Sequence, residues 1–183
     1  MALSDELSRV AEAAAAHAAP REELAGILPS EPRAGRRAYL CAFTGNGDRS
    51  WLALDAAGAP ISSRELLREA VSIAALCELA DDAAGGGSLE ELRAELATLR
   101  LTENLPGIDE AEEAALELER TLGAPPRLAS PEHLDAVGAA TRKLELALGT
   151  AGASPFAEAM KQGRVAIDAL TQEVENAYKV PLE

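Results

Sequence analysis

The side chains with the strongest chemistry in this sequence are few: two histidines, His17 and His133, and two cysteines, Cys41 and Cys77. A zinc site draws on such residues in close pairs, as in CxxC or HExxH, because the ligands must arrive on one turn or one helix face. Neither pattern occurs, nor does the ExxH that a di-iron bundle needs on its helices. The expectation is a chain with no metal and no other cofactor. His133 follows "SPE" in the first turn of a helix, where the helix dipole disfavours an imidazolium. No serine, cysteine or second acid is placed beside it by the sequence, so it reads as a surface histidine next to a helix cap. Asp81 and Asp82 offer carboxylates just ahead of Gly85–Gly87. They lack the alternating ligands of an EF-hand, and a DDxxD motif would need an acid where Gly85 stands. "GNG" and "GGG" match neither GxxxxGK[ST] nor a GxGxxG set between a strand and a helix. No catalytic residue is assigned.

Binding chemistry is concentrated in one stretch, "YLCAFTGNGDRSW", residues 39–51, which holds three of the five aromatic residues and one of the two cysteines. Arg33, Arg36, Arg37 and Arg49 gather around it on an otherwise acidic chain. They suit a carboxylate or a phosphate, or else pair with neighbouring acids such as Asp48 and Asp55. If its aromatic side is exposed, Tyr39, Phe43, Arg49 and Trp51 form a patch of the composition favoured at interface hot spots. If that side faces inward, Trp51 is core.

With 17 basic residues against 31 acidic ones, the formal charge of −14 repels a phosphate backbone, so nucleic acid is not an expected partner. No apolar run reaches the roughly 20 residues of a membrane span, and the start "MALSDELSRV" lacks the apolar core of a secretory signal. The cytoplasm is the expected location, and an excess of arginine over lysine, 14 to 3, suggests a GC-rich bacterial genome. Two cysteines in 183 residues make no disulfide framework.

The elements that position these residues are read from period and punctuation. Leu3, Leu7, Val10 and Ala14 keep three-four spacing in a first helix stopped by Pro20. A short second helix is expected from Pro20 to Leu28, carrying Leu24, Ile27 and Leu28. Alternation then takes over: Tyr39, Cys41 and Phe43 share a side, "TGNGDRS" turns with Asn46 and Gly47 tolerating positive φ, and "WLALD" extends again. Residues 37–61 therefore read as a small antiparallel hairpin or meander. Ser62 with Glu65, and Ser88 with Glu91, form capping boxes for helices over 62–84 and from 88. An acidic helix follows over 108–122, and Ser130–Pro131 and Ser154–Pro155 open two more. The last carries Phe156, Met160, Gly163, Ile167, Leu170, Val174 and Ala177 on one stripe, packed by default within the chain, with room for a symmetric dimer.

The fold class is α+β and predominantly helical: about five substantial helices in a bundle, with the small sheet inserted near the N-terminus. Residues 1–183 read as one domain, jointed at Gly85–Gly87. The functional reading is a non-enzymatic protein-binding or assembly protein, an adaptor or regulator whose partner is another protein or a second copy. The alternative is a small-molecule binding protein or enzyme with a pocket between the sheet and the 62–84 helix.

Overall fold

The computed structural model describes residues 3–33, 36–45, 47–103, 105–123, 128–149 and 154–183; the expected turn residue Asn46 lies outside them. The order is α1 (Leu3–Ala15), β1 (Glu23–Ser30), β2 (Ala38–Gly45), β3 (Asp48–Asp55), α2 (Arg64–Gly85), α3 (Ser88–Thr102), α4 (Ile108–Gly123), α5 (Pro131–Ala147) and α6 (Pro155–Asn176). This is the expected helical α+β class with an antiparallel sheet, order β1-β2-β3, near the N-terminus. One expectation is overturned: residues 23–30 are a strand, not part of a second helix, so the sheet has three strands and follows a single helix. Residues 20–21 instead form a turn in which Arg21 takes φ 73°, a left-handed conformation unusual for a residue with a side chain. The Glu22 carboxylate holds that turn by accepting the Ala19 N–H at 2.7 Å.

The chain divides into two compact units. The first comprises Met1–Ala75, Leu128–Pro131 and Ile167–Glu183. Its sheet is apolar on both faces, as strand alternation of "AYLCAF" and "WLAL" requires. Tyr39, Cys41, Phe43, Leu52 and Leu54 form one face and pack with Val10 and Ala14 of α1. Ala38, Leu40, Trp51 and Ala53 form the other and pack with Leu67, Ala70 and Val71 of α2 and Val174 of α6. The outer edge of β3 is paired by residues near the C-terminus: the Trp51 N–H donates to the Ala177 carbonyl (3.0 Å), and the Lys179 N–H donates to the Trp51 carbonyl (2.9 Å). Between them, the Tyr178 hydroxyl donates to the Ile61 carbonyl (2.6 Å) and accepts the Ala53 N–H (3.0 Å).

The second unit, Leu76–Arg127 and Glu132–Ala166, consists of helices joined by turns, with no strand among its described residues. Its core takes Ala80 and Ala83 from α2, Leu89, Leu92 and Leu96 from α3, Ala114, Ala115 and Leu118 from α4, Val137 and Leu144 from α5, and Phe156 and Met160 from α6. The three-four spacing of each set makes one stripe per helix, and joining five stripes buries them all. Gly163 on α6 meets Leu79 on α2 so closely that a Cβ would lie 2.2 Å from Leu79 Cδ1. Gly85–Gly87 lies inside this unit, where it ends α2 and opens α3.

The caps are partly those expected. Ser154 Oγ accepts the Ala157 N–H at 3.0 Å, as a cap-then-proline start should. For α2, however, the capping hydroxyl is Ser63, accepting the Leu66 N–H at 3.3 Å, one residue later than expected. At α3 the cap position is Gly87, with φ 91°, and Ser88 is already helical. The apolar stripe of α6 is spent within the chain, Phe156 and Met160 in one unit and Val174 in the other.

Two predictions follow from the first unit. Trp51 is 5% exposed, so its emission should be blue-shifted and shielded from a soluble quencher, and Trp51→Ala should cost about 3–5 kcal/mol in denaturant unfolding. Glu22 forms an ion pair with Lys179 and accepts from Ser50 Oγ at 2.8 Å; the Lys179 hydrogen bond, then the Ala19 N–H and Ser50, pull its carboxyl from 4.5 down to about 2. A depressed carboxyl stabilises the fold above its unfolded value, and that stabilisation fades as pH falls from 4.5 towards about 2. Glu22→Gln should therefore lower the melting temperature at neutral pH, and the gap to the parent protein should close as the pH approaches 2.

Candidate functional site

Each sequence-predicted binding residue has a definite place in the first unit. Tyr39 and Phe43 are fully buried on the face that packs with α1. Trp51 is buried on the opposite face, because it pairs with Ala42 and so falls in phase with Leu40. Arg49 is exposed near the β2–β3 turn. Of the two readings of this stretch, the inward one holds for the aromatics: the sheet brings Tyr39 and Phe43 into one core and Trp51 into another, since each apolar face has its own covering helix, and Arg49 alone of the four is exposed. Burial pushes the Cys41 thiol up to about 12, which leaves it an inert core thiol, and Cys77 is likewise buried and outside any disulfide.

The arginine cluster is also dispersed. Arg37 pairs with Glu6 of α1 at 2.7 Å rather than with Asp48 or Asp55. The Tyr39 hydroxyl is buried near this pair without a hydrogen-bond partner, and burial and then the Glu6 carboxylate push it up to about 12. Asp55 is used by its own turn, accepting the Ala57 and Ala59 N–H groups at 2.9 Å each. Arg36 lines a shallow hollow together with Glu31 and Asp55, whose carboxylates oppose an anion there. Between the sheet and α2, the space expected to hold a pocket is filled by Leu40, Trp51, Ala53, Leu67, Ala70 and Val71. Among the described residues, no three His, Cys, Asp or Glu side chains converge as metal ligands.

A concave surface of the second unit, a groove of about 540 Å³, lies between α5 and α6. On α5 it is lined by Leu134, Gly138, Thr141 and Glu145, whose spacing of four, three and four keeps them on one helical stripe. On α6 it is lined by Ala157, Lys161 and Arg164, spaced four and three, with Met160 next to Lys161, and Leu76 of α2 also lines it. Val137 and Met160 are core residues, so the floor is continuous with the hydrophobic interior. Thr141 donates its hydroxyl to the Val137 carbonyl at 2.8 Å and so offers little polarity.

The rim has a different character. Arg142 stands on one wall and Lys161 and Arg164 on the other, against a single carboxylate, Glu145. Arg142 Nε donates to the Gly138 carbonyl at 3.3 Å. Lys161 and Arg164 are exposed and have no ion-pair partner among the described residues. Elsewhere in this unit Arg93 pairs with Glu119, Arg100 with Glu112, and Lys143 with Glu117. Cations above an apolar floor are suited to an anionic, partly apolar ligand. The lining contains no histidine or cysteine, and its one carboxylate is Glu145. His133 is half-buried in the first turn of α5, outside the lining, and His17 is exposed after α1.

Compared with family models, with curated proteins and with solved structures, the chain matches none. The groove was missed in the sequence because its cations are divided between two helices, whereas the arginines that drew attention lie close together in the chain. Gly138 was the available signal. A glycine inside a helix costs about 0.5–1 kcal/mol relative to alanine, and a Cβ here would meet nothing within 4 Å. Gly138→Ala should accordingly raise the melting temperature by a few degrees in a thermal scan.

Proposed function

We propose that this chain is a non-enzymatic protein-binding protein, of adaptor or regulatory type, and that the α5–α6 groove is its docking surface. The observation that carries this reading is the pairing of a core-continuous apolar floor with a cationic rim whose Lys161 and Arg164 are unpaired, on a chain of formal charge −14. Such a chain gains solubility from acids, so unpaired cations grouped at one concavity answer to an outside anion rather than to the fold. The lining favours binding over catalysis, since this groove sets hydrophobes and three cations against one carboxylate, Glu145, with no histidine or cysteine. No helix of the described residues is long and apolar enough to cross a membrane.

The test is site-specific photocrosslinking in the source cells, with a benzophenone side chain at Lys161 and, as control, at Arg36 on the first unit. A discrete protein adduct should form from position 161, be absent from position 36, and vanish when Gly138→Trp fills the groove. Adducts that ignore the groove-filling substitution would remove this surface from consideration.

A further inference from the structure

We propose that the occupant of the groove is an acidic amphipathic α-helix, which packs its apolar face on Leu134, Val137 and Met160 and crosses α5 at Gly138. This rests on the groove being the docking surface and adds the chemistry of what docks there. Three observations lead to it. The α5 stripe from Leu134 to Glu145 spans about 16 Å at 1.5 Å per residue, close to three turns of a partner helix. An extended peptide is recognised by pairing with a sheet edge, and the second unit has no strand among its described residues. A polyproline segment is recognised by aromatic walls, and no aromatic lines the groove. A helix laid along the groove is the mode that remains.

Gly138 adds the second observation. Gly163 lacks a side chain because Leu79 occupies the space, so its absence is explained inside the fold. Nothing occupies the space beside Gly138, although the residue lies in mid-helix and on the groove floor. The missing side chain serves an approaching backbone, the use of glycine at close helix crossings. The third observation is charge: the α6 wall presents Lys161 and Arg164, whereas on the α5 wall Arg142 stands beside Glu145, so the partner carries its carboxylates chiefly on the flank that faces α6. The groove lies open at the surface, whereas a small amphiphile is held in a cavity that surrounds most of it.

Fluorescence anisotropy with the full chain and three labelled peptides of about 16 residues tests the inference. All three carry leucines at i, i+3, i+4 and i+7; one has glutamate at its polar positions, one has lysine, and one is the glutamate peptide with a central proline. Binding is counted only where Gly138→Leu removes it, since a lysine peptide is drawn to this acidic chain generally. The expected result is groove-dependent binding of the glutamate helix, weakened severalfold between about 50 and about 500 mM salt, with the lysine and proline peptides about tenfold weaker. Lys161→Glu combined with Arg164→Glu, both exposed, should invert the preference between glutamate and lysine. If the lysine or proline peptide binds as tightly as the glutamate helix and Gly138→Leu abolishes it, the groove is a docking surface but not for an acidic helix. If dodecanoate displaces the glutamate peptide at concentrations below that peptide's own dissociation constant, the occupant is a small amphiphile and the inference fails. If no peptide shows groove-dependent binding, the inference fails and the docking reading loses its support as well.

Discussion

A three-stranded sheet that is apolar on both faces has to be covered twice, and this requirement organises the first unit. Tyr39, Cys41 and Phe43 project to one side of β2, Leu40 and Ala42 to the other, and β3 repeats the division with Leu52 and Leu54 against Trp51 and Ala53. A helix can satisfy only one face. So α1 covers the first, and the second is covered by the start of α2 with the end of α6. The concentration of aromatics between residues 39 and 51 is a consequence of this arrangement: large rings fill the two thin layers between the sheet and its helices. Cys41 shares the confinement, and its thiol is accordingly unreactive.

Edges impose a further demand, because unpaired strand edges invite other chains. On the β3 side the demand is met by Ala177 and Lys179, which pair with Trp51, and by the Tyr178 hydroxyl, which reaches across to Ala53 and Ile61. The same short segment delivers Lys179 to Glu22, with its ammonium 4.7 Å from the centre of the Phe43 ring. Arg68 and Glu175 complete the attachment through a two-pronged contact at 2.6 and 3.1 Å. Each of these contacts joins residues far apart in sequence. None could be inferred from local pattern.

Much of the architecture was legible where a single period dominates. The helices from Ile108, Pro131 and Pro155 begin at the residues their caps and prolines indicate, and β2 and β3 show plain alternation. The strand β1 was misread for a physical reason. Its pairing shifts between Leu24 and Gly26, so Leu24 opposite Phe43 and Ile27 opposite Cys41 share a face at a spacing of three. A bulge thereby gives a strand the spacing of a helix, and Pro20 ahead of it completes the resemblance. The groove was illegible for another reason: Gly138, Arg142, Lys161 and Arg164 are unremarkable on their own helices and acquire meaning only where α5 and α6 meet.

The sequence order of the first unit carries a kinetic consequence. Its sheet is synthesised early, but the segment that closes the β3 edge belongs to Ile167–Glu183, after nearly all of the second unit. At about 5–20 residues per second, a ribosome leaves that edge open for roughly 5–20 seconds after the strands have emerged. The second unit is complete by Ala166 and has no such wait. Closing the sheet is thus a late, long-range step, slowed by the loop that must be drawn shut around the intervening unit.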